Sequence, residues 1–256
     1  MTSTLTFSIS ELIPYINWIY FYHAWGIKEE HADELRNEAK ELLEKWSKED
    51  RKSIFRIRLL PANSRDEDIL LYEDNGKQTT LPLLRQQCPP YLCLADFLPP
   101  LSMEPVTMGV FVATIPFRVD GLVEQTLADR LAEATAEKGH EIVRKEIWGY
   151  APDESLTPKE MFAERYIGKR PAVGYPSLPD HSLNFILSDL LDFTDIGILL
   201  SENGAMIPHA TTSGIAISHP KCRHFKVGTI GEDQLADYAS RRGMTPDMIR
   251  KFIDIA

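Results

Sequence analysis

Two strand-like runs, Ile54 to Leu60 and Ile69 to Tyr72, lead into Asp74-Asn75-Gly76, a tight-turn signal. A hairpin of this kind fixes antiparallel pairing. Before it lies a helical stretch from about Lys28 to Lys48, in which Leu35, Ala39, Leu42, Leu43 and Trp46 recur at helical spacing with charge on the other faces. Thr107 to Thr114 reads as a further strand. A long helix is expected from about Gly121 to Lys145, with Leu127, Leu131 and Ala134 on its buried stripe. Helices and strands are interspersed without a strand-helix-strand rhythm, which favours an α+β fold with an antiparallel sheet over a doubly wound one.

The second half continues the mixture. Thr157-Pro158-Lys159-Glu160 combines a capping box with proline in the first turn, and Gly168 is a natural stop for the short helix it opens. Ser182 is positioned to cap a helix over Leu183 to Leu191. Strands are expected at Gly214 to Ser218 and Phe225 to Ile230. Two closing helices flank Gly243, the second beginning at Thr245-Pro246.

The chain has 256 residues, 43% of them hydrophobic, enough to bury a substantial core in one large domain or two small ones. No segment approaches the roughly 20 apolar residues of a membrane span. The most apolar N-terminal stretch, Leu12 to Trp25, carries Pro14, Asn17 and His23 and has neither a basic leader nor a cleavage site. A cytoplasmic location is the expectation. Cys88, Cys93 and Cys222 are too few and too scattered for a disulfide framework. The formal net charge of −10 argues against nucleic acid as a partner. Basic residues gather at Lys138, Arg144, Lys145, Lys169 and Arg170, and again at Lys221, Arg223 and Lys226, leaving room for an acidic protein partner.

The most unusual stretch is Gly168-Lys-Arg-Pro-Ala-Val-Gly-Tyr-Pro-Ser-Leu-Pro-Asp-His181. Pro171, Pro176 and Pro179 pre-set its shape by fixing φ. Gly174 permits an unusual backbone angle or the close approach of a ligand. Arg170 offers a planar fork suited to a carboxylate, and Tyr175 a flat face beside it. On these residues alone, the reading as a stiff structural connection with a surface arginine stays open.

Arg170-x-x-x-Gly174-Tyr175 resembles the S-adenosylmethionine signature of the activation domain of cobalamin-dependent methionine synthase. Leu127-Ala-Asp-Arg-Leu-Ala-Glu-Ala134 and Trp148-Gly-Tyr-Ala-Pro152 are similar to the family's long helix and the segment after it. Pro61-Ala-Asn63, Leu84-Arg-Gln-Gln87 and Leu92-Cys-Leu-Ala-Asp-Phe97 resemble its sheet region. Toward the C-terminus, Ala205-Met206-x-Pro208, Ser213-Gly214, Ser218-His-Pro220 and Tyr238-Ala-x-Arg-Arg-Gly-Met244 match in order. The resemblance implies a single curved α+β domain over residues 1–256, built on a central antiparallel sheet flanked by helices.

It also implies a repair function. Cobalamin that oxidises to cob(II)alamin leaves the methionine synthase cycle, and the activation domain presents S-adenosylmethionine to the cobalt while flavodoxin or a similar donor supplies an electron. By position, Arg170 would hold the methionyl carboxylate, Ala172 and Gly174 would present backbone groups, and Tyr175 would line the cleft beside the corrin. His224 and Phe225 would add contacts from the segment after the Ser-His-Pro motif. Asn17 falls where the family has an aspartate facing the ligand's ammonium group, and His224 where it often has tyrosine. Asp129 and Glu133, four residues apart on one helical face, would face the cobalamin module; a solvated helix face is the plain alternative.

The stretch between Thr114 and Leu127 looks shorter than in long versions of the family.

The Asp-x-His-x-x-Gly motif of corrinoid proteins is absent from the sequence, as is any long α/β-barrel region. The expectation is therefore a free-standing component of a methyltransferase. It would work in methionine biosynthesis on cobalamin carried by a separate methionine synthase polypeptide, with no catalytic residue of its own. The alternative is a module of the same fold that only senses S-adenosylmethionine or docks a partner. His219-x-x-Cys222-x-His224 has metal-ligand residue types, with Cys88 and Cys93 as conceivable additions, but lacks a defined fourth ligand; no metal is expected. No Gly-x-Ser-x-Gly, Walker-type or Gly-x-Gly-x-x-Gly motif occurs.

Overall fold

Strand side chains alternate between faces, and the 52–65 segment shows what that does here. In the computed structural model, which describes residues 1–253, Phe55 and Ile57 point into one hydrophobic cluster while Leu60 and Ala62 point into another on the opposite face. The sheet therefore has helices on both sides. In chain order the elements are β1 (Thr2–Ser8), α1 (Ile9–Leu12), α2 (Trp18–Ala24), α3 (Asp33–Lys48), β2 (Lys52–Arg65), β3 (Asp68–Tyr72), β4 (Gln78–Pro82) and β5 (Val106–Thr114). They continue with α4 (Leu122–Ile142), α5 (Pro158–Phe162), α6 (Leu183–Leu191), β6 (Leu199–Leu200), β7 (Met206–Ile207), β8 (Thr211–Ala216), α7 (Glu232–Arg242) and α8 (Pro246–Ile249).

The main sheet runs β4-β3-β2-β5-β8, and β1 pairs with the first half of β2 on the same side as β3. Every pair of neighbouring strands in it is antiparallel, with Ile57 opposite Phe111 and Phe111 opposite Gly214. The fold is thus α+β with a central antiparallel sheet, as the hairpin signal requires. One face carries α4, which buries Leu127 and Leu131 in one cluster with Phe55 and Phe111, and α3, which adds Leu43 and Trp46 to that cluster while packing on α1 and α4. Each such leucine contributes roughly 1.5–3 kcal/mol through burial. Gly139 permits this contact, because a β-carbon there would lie 2.6 Å from Phe55 Cδ1.

The other face receives α6 through Leu183, Leu187, Leu190 and Leu191. Here Arg56 and Arg58 donate to the carbonyls of Leu191 and Leu190 at 3.0 and 3.2 Å, satisfying acceptors at the helix C-terminus. The helices α7 and α8 form a third cluster with Leu84, Val227 and Tyr238.

Several boundaries differ from the sequence reading. The helix expected from Lys28 begins at Asp33, after a short 3₁₀ turn at Glu29–His31. The strand expected over Ile54 to Leu60 extends from Lys52 to Arg65. The long helix ends at Ile142 and passes into a π-helical turn, Val143–Ile147. The Thr157-capped helix stops at Phe162 rather than at Gly168, since Glu164 already adopts a left-handed φ of 51°. Ser182 does not cap α6; its hydroxyl donates to Asp180 Oδ2 at 2.8 Å instead. The strand expected at Phe225 to Ile230 is absent. Val227 is anchored there by burial and by one bond from its N–H to the Pro176 carbonyl at 2.9 Å.

Candidate functional site

The proline-rich loop is placed by the sheet. Residues 169–173 lie alongside β8, where Lys169 and Ile217 exchange backbone hydrogen bonds at 2.9 Å in both directions. Ile215 N–H donates to the Pro171 carbonyl at 3.0 Å and Val173 N–H to that of Ser213 at 2.9 Å. The close approach depends on Gly214, where a β-carbon would overlap the Pro171 carbonyl oxygen and lie 2.8 Å from Ala172 Cα. The loop then turns at Gly174, whose φ of +88° suits only glycine and whose missing β-carbon leaves room for the His181 ring. Gly174 N–H donates to Leu178 O at 2.9 Å, closing the turn that presents Tyr175, 48% exposed.

Held this way, Arg170 projects onto α4. Its guanidinium lies 5.3 Å from the Phe111 ring centroid and its Nη2 donates to Glu137 Oε2 at 3.3 Å. Both side chains are nearly buried, yet Arg170 Nε and Glu137 Oε1 have no hydrogen-bond partner among the described residues. Burial pushes the Glu137 carboxyl above its usual range against the pull of Arg170 and Arg144. Burial disfavours the Arg170 charge, but Glu137 and Glu133 outweigh it and raise its pKa. One helical turn earlier, Glu133 accepts from the Tyr175 hydroxyl at 3.0 Å, and burial followed by this carboxylate pushes the phenol up to about 12.

Beneath the loop a buried ladder continues from α4 into the π-helical turn that follows it. Arg144, wholly buried, binds Glu154 through Nη2 at 2.6 Å and stacks its guanidinium 3.9 Å from the Tyr166 ring centroid. Its Nη1 lies 2.8 Å from His140 Nδ1. Burial, then Arg144, Arg170 and Lys169, hold His140 neutral, its pKa well below 6.5. The network thus fixes the segment 154–166 against α4.

Above it opens a cleft of 370 Å³. Tyr15, Asn17 and Tyr20 of the N-terminal segment line it together with Arg130, Glu133 and Glu137 of α4. Met161, Phe162, Glu164 and Tyr166 also line it, with Arg170, Ala172, Tyr175 and His224 completing it. His224 Nε2 sits 3.1 Å from Glu164 Oε2. Burial opposes the Glu164 charge, but His224, Lys169 and Arg170 together hold its carboxyl below the ordinary range.

Asn17, Arg170, Ala172, Tyr175, His224 and Glu133, named from sequence, therefore meet in one cleft although they come from four separate chain segments. Gly174 and Phe225 do not line it: Gly174 faces His181 within the turn, and Phe225 packs between two hydrophobic clusters. Asp129 lies a turn from Glu133 and engages His209 Nδ1 at 3.3 Å instead. Glu137, Glu164, Arg130 and Tyr15 were not identified in advance. The spacing of Glu133, Glu137 and Glu141 along one stripe of α4 was the available signal.

The basic group at residues 138–170 is not a free surface. Arg144 and Arg170 are buried against Glu154 and Glu137, and Lys169 Nζ donates to the Glu164 carbonyl at 2.9 Å. By contrast Lys221, Arg223 and Lys226 are exposed. His219 packs its ring 5.9 Å from that of Phe97, His224 faces Glu164, and Cys222 is buried with its thiol pushed up to about 12, first by burial. Among the described residues no three His, Cys, Asp or Glu side chains gather as a metal site would require, and no helix is long and apolar enough to cross a membrane.

An antiparallel sheet that braces a proline-rich arginine loop over an acidic helix defines the class. The chain belongs to the vitamin B12 dependent methionine synthase activation domain family, whose match spans residues 8–243. Among solved structures it is similar to the crystal structure of the MetH reactivation domain bound to AdoHcy. The two share 33% identity and a TM-score of 0.89, over 98% of this chain and 89% of that one.

Proposed function

We propose that this protein binds S-adenosylmethionine in the cleft between α4 and the 169–175 loop. We propose further that it serves the reactivation of a cobalamin-dependent methionine synthase carried on a separate polypeptide. The observation that carries the reading is the convergence of Asn17, Arg170, Ala172, Tyr175 and His224 on a single cleft. The relative of known structure, which holds AdoHcy, supports the ligand class. The donor set fits as well. An α-amino-acid head group needs a cation for its carboxylate and an acceptor for its ammonium, and Arg170 and Glu137, which both line the cleft, supply one of each.

The role of these residues is placement. Arg170 orients the carboxylate, the backbone at Ala172 borders the ligand, and Tyr175, held by Glu133, stands at the exposed mouth where a partner would approach. The corrinoid on the partner, reduced by an electron from flavodoxin or a similar donor, is the methyl acceptor. In this reading the whole of residues 1–256 forms one activation unit that contributes geometry rather than acid–base chemistry.

Calorimetric titration with S-adenosylmethionine tests the ligand. Arg170→Ala should lose roughly 1.5–3 kcal/mol, about ten- to hundredfold in affinity. Equal affinity in wild type and variant would remove Arg170 from the site, and no binding by the folded wild type would reject the ligand altogether.

A further inference from the structure

The cleft carries more negative than positive charge, and its carboxylates are not equivalent. Three of them, Glu133, Glu137 and Glu164, face two guanidiniums, Arg130 and Arg170. Glu164 is engaged by His224 at 3.1 Å and by Lys169 at 3.6 Å. Glu133 accepts from Tyr175. Glu137 alone has an oxygen that is both buried and unpartnered among the described residues, and its single ion pair is a long one, 3.3 Å from Arg170 Nη2. The N-terminal segment brings only uncharged groups, Tyr15, Asn17 and Tyr20, and the Asn17 side chain makes no hydrogen bond within the described residues although it stands at the N-terminus of α2.

A buried carboxylate oxygen without a donor is costly, and a ligand ammonium that parts Glu137 from Arg170, and so reaches the enclosed oxygen, removes that cost. The neighbouring Arg170 imposes a second condition, since any such ligand must also present an anion to the guanidinium. One group of each sign, carried close together, describes an α-amino acid and excludes ligands that end in a bare nucleoside.

We propose that Glu137 is the ammonium acceptor of this cleft and the residue that restricts it to zwitterionic α-amino-acid ligands, supplying the charge that Asn17 does not. This rests on the S-adenosylmethionine reading above. Ligand entry replaces the long Glu137–Arg170 pair with two ligand contacts, carboxylate to Arg170 and ammonium to Glu137. The surplus carboxylate matches the net positive charge of a ligand that carries a sulfonium as well as a zwitterion.

The test is a cycle between protein and ligand. Wild type and Glu137→Gln are titrated with S-adenosylhomocysteine and with its deaminated 2-oxo acid analogue, which keeps the carboxylate and the adenosine. Glu137→Gln should weaken S-adenosylhomocysteine about tenfold or more and change the analogue's affinity less than about twofold. A structural role for Glu137, exerted through Arg170, would weaken both ligands alike, and parallel losses overturn the inference while leaving the parent reading intact. Wild type that binds neither S-adenosylmethionine nor S-adenosylhomocysteine overturns both. Glu137→Asp keeps the charge and should retain the preference for the amino ligand. That preference also decides the matter if the glutamine variant does not fold, and its loss in the aspartate variant counts against the proposal.

Discussion

Gly214→Ala is a one-carbon change that tests how the binding loop is held. The new methyl group meets backbone on the loop, overlapping the Pro171 carbonyl oxygen and standing 2.8 Å from Ala172 Cα, and it presses on Phe111 Cε1 at 3.0 Å. Backbone cannot swing aside as a flexible side chain can, so either the loop lifts from β8 or the strand distorts. Overpacking of this kind costs about 1–3 kcal/mol. The two flanking hydrogen bonds, Ile215 to Pro171 and Val173 to Ser213, weaken with it, at about 0.5–1.5 kcal/mol each. A loss of about 2 kcal/mol or more is expected in urea denaturation. Affinity for S-adenosylmethionine should fall as well, because Arg170 precedes the displaced carbonyl by one residue. Gly76→Ala, in the hairpin turn at φ +82° with nothing within 4 Å of its β-carbon, is the control. It should cost about 1–2 kcal/mol of backbone strain and leave affinity alone. A Gly214→Ala protein with wild-type stability would refute the close-approach argument. One that loses stability but binds normally would refute the link between loop position and site.

Asn17→Asp should tighten S-adenosylmethionine binding modestly by adding a charge to an N-terminal segment that brings none to the cleft, and the gain should shrink as salt rises; unchanged or weaker affinity would mean that Asn17 does not face the ammonium. His140 gives a pH signature. The unfolded chain takes up a proton as pH falls through 6.5, whereas the buried, cation-surrounded folded imidazole does not. Stability present above pH 6.5 is therefore lost below it, at up to about 1.4 kcal/mol per pH unit. His140→Gln should lack this component, so its stability curve between pH 7 and 5 should be flatter than that of wild type; parallel curves would show that His140 protonates in the fold.

Much of this molecule is legible from local pattern, and what is not depends on partners distant in the chain. Alternation and the Asp74-Asn75-Gly76 turn led to the antiparallel sheet, and apolar spacing led to α3 and α4. Phe225 to Ile230 alternates like a strand, but its apolar residues meet Leu84, Leu235 and Tyr238 without a neighbouring strand edge, so burial without pairing satisfies them. Arg144 and Arg170 looked like a basic surface because Glu154 and Glu137, which neutralise them, lie 10 and 33 residues away. The same distance concealed Glu137 as a site residue, since on a helix drawn alone it is one more solvated charge. Arg170 and Tyr175 were readable because prolines and glycines mark their loop. Gly214, which seats that loop, carries no sign of its purpose until β8 and the loop are seen together.

Methyl transfer to cobalamin on another protein is the decisive measurement of the proposed reactivation. The protein is mixed with a cob(II)alamin-loaded methionine synthase fragment lacking its activation domain, reduced flavodoxin and S-adenosylmethionine, and methylcobalamin is followed by absorbance. Methylcobalamin should form only when all four are present, and more slowly with Arg170→Ala at limiting methyl donor. Methylation of the fragment at the same rate without this protein would contradict the reactivation role.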